Sequence, residues 1–109
     1  MSNPKFNPGQ VVITGGIDAL AQGDAKFSAF VAECVARHIR GDWGDDRDPQ
    51  DIRVNDDALK NGDQLLSAYR YRGNVTSLMV DDIVKIWVIT DARVAGFATV
   101  TTVLLPDEY

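Results

Sequence analysis

The chain has 109 residues, enough for one domain with one hydrophobic core, and its 45% share of apolar residues excludes a disordered chain. Sixteen acidic and eleven basic residues give a formal net charge of −5, which argues against binding to nucleic acid or to an anionic membrane surface. Apolar runs stay short of the roughly 20 residues of a membrane-spanning helix, and the first ten residues lack the apolar segment of a secretion signal. We therefore expect a cytoplasmic protein with a single domain over residues 1–109.

The first part of the chain predicts a strand and a long amphipathic helix. Residues 10–14, QVVIT, form an apolar run typical of a strand, and residues 17–21 can add one helical turn. Asp24 is a typical N-cap and Gly41 a typical C-terminal stop. Between them, side chains of one face recur at helical spacing: Phe27, Phe30, Val31, Cys34, Val35, His38 and Ile39. The pattern predicts a helix over residues 25–40 with this face turned to the core.

A second helix is predicted over residues 49–60. Asp48 followed by Pro49 is typical of an N-cap and a first helical position, and Asn61-Gly62 is a typical end. The apolar stripe of this helix is thin, with Ile52 and Leu59 as its main members. We therefore expect a surface helix with most of its aspartates in water.

The last half of the chain predicts β-structure. Residues 65–72, 84–90 and 97–105 are rich in β-branched and aromatic side chains and are bounded by turn residues. Consecutive strands indicate antiparallel neighbours. The predicted fold class is α+β: an antiparallel β-meander of three to four strands packed against helix 25–40, with a second, short helix on the surface.

The stretch from Gly41 to Asp57 carries the whole formal excess of negative charge, because it contains seven aspartates and two arginines. Trp43 lies between two glycines at its start, and we expect this ring to be exposed. An acidic surface with one exposed aromatic is typical of a docking site for a basic partner. The alternative is a solvated acidic loop before a helix N-terminus. The candidate partner-binding residues are Asp42, Trp43, Asp45, Asp46, Asp48, Asp51, Asp56 and Asp57.

Two patterns in the sequence bear on catalysis or metal binding. Cys34, the only cysteine, and His38, the only histidine, lie one helical turn apart, where they would share a metal or form a thiolate–imidazolium pair. A third ligand at fitting spacing is missing, so the favoured interpretation places both in the core stripe, with His38 at its solvent-accessible end. A calcium loop counted from Asp42 fails, because Arg47 replaces the sixth-position glycine and Arg53 the twelfth-position glutamate. No catalytic residue, metal or cofactor is expected.

Three stretches carry a resemblance: GDWG at 41–44, NDDALKNGDQLLSAYR at 55–70, and KIWVIT at 85–90 together with TTVLLPDEY at 101–109. They resemble a family of small bacterial proteins that are carried on plasmids and integrative elements and are often labelled plasmid-related. The match covers a little over half of the chain and departs from the family pattern in two longer links, at residues 73–84 and 91–100. The resemblance implies an accessory gene of a mobile element and carries over no catalytic residue.

Small acidic proteins of mobile elements commonly act by binding. We therefore expect a non-enzymatic inhibitor of a host defence nucleic-acid complex, of the anti-CRISPR type, whose carboxylates act as a DNA mimic in a basic groove. Its partner would be a protein with a basic surface, such as a CRISPR effector complex, and no direct contact with nucleic acid or membrane is expected. Two alternatives stay open: an interaction or regulatory module, including a homodimer formed through a C-terminal edge strand, and a small enzyme or toxin with an unrecognised site.

Overall fold

The computed structural model describes residues 4–45, 47–72, 84–94 and 99–109. In chain order, the elements are β1 (Gln10–Ile13), α1 (Gly15–Ala21), α2 (Ala25–Ile39), α3 (Pro49–Asn61), β2 (Leu65–Tyr71), β3 (Val84–Thr90), β4 (Val100–Leu104) and a 3-10 turn (Pro106–Glu108). Within the described residues, the strands form a four-stranded sheet in the order β1-β4-β3-β2. The fold class is α+β, as predicted. The two long links at 73–84 and 91–100 fall partly outside the described residues, which do not include 73–83 and 95–98.

The meander is present, but the sheet is mixed. β2 pairs antiparallel with β3 and β3 antiparallel with β4, whereas β1 pairs parallel with β4. The prediction of a wholly antiparallel sheet is therefore wrong for β1. Short links favour antiparallel pairing of consecutive strands, but β1 is followed by helices and finds its partner about 90 residues later, so no local link sets its direction. β4 also lies between β1 and β3, so the expected C-terminal edge strand is an interior strand.

Helix α2 covers one face of the sheet and forms the main core with it. Its N-cap is Asp24, whose Oδ1 accepts a hydrogen bond from the Phe27 amide at 3.0 Å. Four residues of the predicted stripe are buried, Phe27, Val31, Cys34 and His38, whereas Phe30, Val35 and Ile39 are half-buried. Phe27 meets Tyr71 of β2 edge to face with ring centroids 5.2 Å apart. A fully buried side chain of this size stabilises the fold by roughly 1.5–3 kcal/mol. These contacts fix α2 over β2 and β3.

The 3-10 turn is fastened to the start of α1 by one carboxylate. Glu108 Oε1 accepts hydrogen bonds from the Thr14 hydroxyl at 2.6 Å and the Leu105 amide at 2.9 Å, while Oε2 accepts one from the Gly16 amide at 3.0 Å. The bond from Thr14 is the main cause that lowers the pKa of Glu108. The segment TTVLLPDEY thus contains most of the interior strand β4 and the 3-10 turn, whose Glu108 is hydrogen-bonded to the start of α1.

Helix α3 packs beside β2 rather than under the main core. Its predicted start is confirmed: Asp48 is the N-cap and its Oδ1 accepts from the Gln50 amide at 2.7 Å, with Pro49 as the first helical residue. Gly62 ends it with φ of 79°, a left-handed conformation that glycine adopts without strain. In the described part of the chain, no helix combines the length and apolar character needed to cross a membrane.

Candidate functional site

The loop between α2 and α3 holds the first half of the acidic stretch, and it is attached to the outer edge of β2. Gly44 forms a parallel bridge with Ala68. The Asp45 amide donates to the Ala68 carbonyl at 2.9 Å, and the Ala68 amide donates to the Trp43 carbonyl at 3.1 Å. The loop therefore behaves as a very short fifth strand, and its side chains have fixed positions.

Trp43 is buried, with 4% of its surface exposed. It packs in a small second core with Ala58 and Leu65, and its ring lies edge-on to His38 with centroids 5.7 Å apart. Its Nε1–H donates to Asp56 Oδ1 at 2.9 Å. The expectation of an exposed aromatic anchor is wrong, because pairing of the loop with β2 carries the indole inward, where burial of its apolar surface is favourable.

Asp42 and Asp45 are engaged with arginine and with backbone. Arg37 donates to Asp42 Oδ2 at 2.7 Å and to Asp45 Oδ1 at 3.2 Å. Asp45 Oδ2 accepts the Arg70 amide of β2 at 2.9 Å. Partial burial alone would raise the pKa of Asp45, but hydrogen bonds from the Arg70 amide and the Arg37 guanidinium hold it below its usual value. Both carboxylates thus fix the loop to α2 and β2.

The remaining aspartates of the stretch lie on α3 and its cap, except Asp46, which is outside the described residues. Asp48 caps the helix and Asp56 holds the Trp43 indole. Asp51 and Asp57 are exposed. The acidic stretch is therefore not a uniform surface: four of its carboxylates have structural contacts, and those of Asp51 and Asp57 have none among the described residues.

Two apolar side chains accompany these carboxylates on the outside of α3. Val54 is 60% exposed and Ile52 is 38% exposed. Residues three or four apart on a helix are surface neighbours, so Val54 lies between Asp51 and Asp57, and Ile52 between Asp48 and Asp56. Ile52 and Val54 are two residues apart and therefore lie on different sides of the helix, and the carboxylates next to Ile52 are the helix cap Asp48 and the indole acceptor Asp56. We call Asp51, Val54 and Asp57 the α3 surface.

Asn55 is a structural residue whose place on the inner face of α3 the sequence pattern indicated but whose contacts with β2 it did not. It is 4% exposed, and its side-chain amide donates to the Leu66 carbonyl at 2.7 Å while its Oδ1 accepts the Leu66 amide at 3.1 Å. Together with the loop contacts at Ala68 and Arg70, it occupies backbone groups along the outer edge of β2. The only indication of this role in the sequence is the position of a polar residue on the thin apolar face of α3.

Cys34 and His38 are both fully buried, so their assignment to the core is confirmed, although His38 is not at a solvent-accessible end. Burial raises the pKa of the Cys34 thiol to about 12, which keeps it protonated at neutral pH. His38 Nδ1 lies 2.5 Å from Ser67 Oγ and Nε2 lies 2.8 Å from Thr90 Oγ1. Both ring nitrogens are thus engaged within the protein.

The direction of this hydrogen-bond chain follows from its last acceptor. The Pro8 carbonyl can only accept, so Thr101 donates to it at 2.7 Å and must accept from Thr90, 2.8 Å away. Thr90 then accepts from His38 Nε2–H, and Nδ1 accepts from Ser67. His38 is therefore the neutral Nε2–H tautomer. Burial is the main cause that lowers its pKa to about 4, with a smaller contribution from the positive charge of Arg93.

A groove of about 710 Å³ lies on the face of the sheet opposite α2. We call it the open-face groove. One wall is α3, with Asp51 and Val54, and the floor is the sheet, with Leu66 and Ala68. Its other lining residues include three cationic side chains and one aromatic ring: Arg47, Arg70, Lys85 and Trp87. The sequence did not predict it, because its walls come from separate parts of the chain.

Within the described part of the chain, the potential metal ligands do not cluster. Among residues 4–45, 47–72, 84–94 and 99–109, no three His, Cys, Asp or Glu side chains form a group that could hold a metal ion.

The rings of Tyr69 and Tyr71 are buried under α2, while Arg70 lies on the opposite face. The alternation in β2 thus separates rings from charges, which is the usual arrangement of such a strand.

Comparisons with other proteins identify no relative: no family model matches the chain, no curated protein matches it, and no solved structure matches its fold. We therefore infer function from the surfaces of the described residues.

Proposed function

We propose that the chain is a non-enzymatic protein-binding accessory protein of a mobile genetic element, and that it inhibits a host defence nucleic-acid complex of the kind that anti-CRISPR proteins target. It would bind a basic protein surface through the α3 surface. The observation that carries the proposal is the 60% exposure of Val54 between the exposed carboxylates of Asp51 and Asp57. Apolar contact surrounded by complementary charge is the usual composition of a protein–protein interface.

The contacts within the acidic stretch change which residues would do the binding. Trp43 is buried and Asp42 and Asp45 are bound to Arg37, so none of them is suited to be the main contact. Asp51 and Asp57 supply outward charge, and Val54 between them supplies apolar area. Binding through such a surface would combine a salt-sensitive association rate with a less salt-sensitive apolar contact. A surface that only mimics the phosphates of DNA would present carboxylates without this apolar contact.

The geometry favours this function over a small enzyme that uses Cys34 and His38. A nucleophilic pair needs a thiolate and an imidazole free to exchange protons in an open cleft. Here the thiol is held protonated by burial, and both imidazole nitrogens are bonded to hydroxyl groups of the core. The pair is better explained as packing.

The proposal is tested by affinity capture from host lysate at low and at high salt, followed by mass spectrometry. The informative variant is Asp51→Lys/Asp57→Lys, because neither residue has a structural contact among the described residues. Reversing Asp45 or Asp48 would disturb the loop or the helix cap instead. The matched control is Asp63→Lys/Asp91→Lys, which makes the same change in net charge at two other exposed sites.

We expect a stoichiometric nucleic-acid-processing complex to be retained by the wild type and the control and lost by Asp51→Lys/Asp57→Lys. All three should remain folded, with a loss of about 1 kcal/mol or less for the double reversal because Asp51 lies in the first turn of α3. Val54→Ser should weaken the same complex at high salt, where the apolar contact contributes most. Retention of the complex by the double reversal would contradict a role of the α3 surface. Loss from both double variants would reduce the effect to net charge.

A further inference from the structure

The open-face groove contains two cationic residues placed directly opposite each other. Arg70 of β2 and Lys85 of β3 are register partners, and both side chains belong to the face that lines the groove. Like charges opposite each other on neighbouring strands destabilise a sheet. Asp45 offsets part of this cost through its interaction with Arg70. The groove is lined by three cations and by the two carboxylates of Asp45 and Asp51, so its formal charge is +1 in a chain with a formal net charge of −5.

A third cation reaches the groove from the loop before α3. Arg47 lines the groove beside Arg70. Its Nε atom is shielded from solvent and has no hydrogen-bond acceptor among the described residues. A shielded guanidinium N–H without an acceptor is costly, and an anion that supplies one removes the cost. The shielded N–H of Arg47 and the opposed charges of Arg70 and Lys85 are separate observations, and both favour an anionic ligand.

The floor of the groove offers a surface for a flat ring. Trp87 of β3 is partly exposed, and its register partner on β2 is Ala68, whose small side chain leaves the indole accessible from the groove. Tyr109 braces the indole edge-on, with centroids 5.8 Å apart. Indole faces stack with aromatic ligands, a contact that typically changes affinity by about tenfold.

From these contacts we infer that the open-face groove binds a small organic anion that carries an aromatic ring. Its carboxylate or phosphate would lie among Arg47, Arg70 and Lys85, and its ring would lie against Trp87. A volume of about 710 Å³ suits a ligand of this size. The carboxylate of Asp51, on the α3 wall, is placed to accept from an amino group of the ring. Asp51 and Val54 line the groove and also belong to the α3 surface, but the three cations and the indole that carry this inference do not.

The test follows the indole N–H signals of ¹⁵N-labelled protein, since the chain has only two tryptophans. AMP is the phosphate probe and indole-3-acetate the carboxylate probe. Two controls separate the groups: adenosine carries the ring without an anion, and inorganic phosphate is the anion without a ring. We expect AMP or indole-3-acetate at millimolar concentration to shift the Trp87 signal and leave that of buried Trp43 in place. Which of the two binds more tightly identifies the anion. Trp87→Phe assigns the signals.

Lys85→Gln should weaken binding of the better probe by about tenfold, as expected for the loss of one partly exposed charge-assisted contact. Lys26→Gln, at an exposed site on α2, should leave it unchanged. The inference is overturned if neither probe shifts Trp87, if adenosine or phosphate alone binds as tightly as the complete probe, or if Lys85→Gln binds like the wild type. Preference for an oligonucleotide over AMP would equally overturn a small-ligand site.

Discussion

The Nε1–H of Trp43 donates a hydrogen bond to Oδ1 of Asp56 at 2.9 Å, and this bond joins the start of the acidic stretch to the middle of α3. The indole is 4% exposed, whereas Asp56 lies at the surface. The carboxylate therefore satisfies the one polar atom of a buried ring while remaining in contact with water. Asp56 is a structural aspartate within a run that the sequence presents as uniformly acidic.

Replacement of this carboxylate should destabilise the protein. Asp56→Ala leaves the indole N–H without its acceptor, and we expect the free energy of unfolding to fall by about 1–2 kcal/mol. Asp57→Ala removes the same charge from the adjacent, exposed position, and its effect should stay within about 0.5 kcal/mol. Urea unfolding followed by circular dichroism measures both. Equal losses for the two variants would mean that the bond adds nothing beyond charge.

A second prediction concerns Asn55, which bonds to both backbone groups of Leu66. Asn55→Ala would leave an amide and a carbonyl of β2 without their partner in a nearly buried position, so we expect a loss of about 2–4 kcal/mol. Asn55→Asp keeps the acceptor but turns a second oxygen toward the Leu66 carbonyl, and should be destabilising as well. Val54→Ala, at the exposed neighbouring position, is the control. A loss below about 1 kcal/mol for Asn55→Ala would show that water replaces these bonds.

Local patterns in the sequence were sufficient to predict the helices. The spacing of Phe27, Val31 and Cys34 identified the buried face of α2, and Asp24 and Asp48 act as the N-caps that their positions indicated. Both signals concern residues within a few positions of each other. The strands β2 to β4 were predictable for the same reason, because their composition and the turn residues that bound them are local properties.

Features that depend on distant pairing were not predictable. Trp43 lies between glycines and aspartates, which indicates a surface position, and only the bridge from Gly44 to Ala68 turns it inward. The direction of β1 is likewise set by its pairing with β4. The open-face groove was not predictable either, because it brings together Arg47 from a loop, Arg70 from β2 and Lys85 from β3, which are far apart in the sequence. A single sequence does not encode such distances in a readable pattern.

A third prediction concerns Gly44, whose φ is 120°. A Cβ at this position would lie 1.8 Å from the Ala68 carbonyl oxygen, so Gly44→Ala must separate the loop from β2. We expect a loss of about 3 kcal/mol or more, together with an exposed, red-shifted Trp43 fluorescence. Gly15→Ala is the matched control, since nothing lies within 4 Å of its Cβ, and it should be neutral or stabilise α1 by about 0.5 kcal/mol. An unchanged fluorescence spectrum for Gly44→Ala would contradict the bridge.

The fourth prediction concerns acid stability and rests on His38, the only histidine of the chain. Its pKa is lowered from 6.5 to about 4 in the folded protein, mainly by burial and secondarily by Arg93. As the pH falls below 6.5, the unfolded chain binds a proton that the folded protein excludes. Stability should therefore be complete above pH 6.5, decline between pH 6.5 and 4, and lose no more from this group below that range. The decline amounts to roughly 3 kcal/mol.

The variant His38→Gln separates this effect from other titrations. Glutamine does not ionise, so the variant should be less stable than the wild type at neutral pH because the bonds to Ser67 and Thr90 are disturbed. Its stability should nevertheless be nearly independent of pH between about 7 and 5, where carboxylates of ordinary pKa remain ionised. Asp45 and Glu108, whose pKa values are also lowered, add their losses only at more acid pH. Urea unfolding across this range compares the two slopes, and a wild-type curve as flat as that of the variant would contradict a buried neutral imidazole.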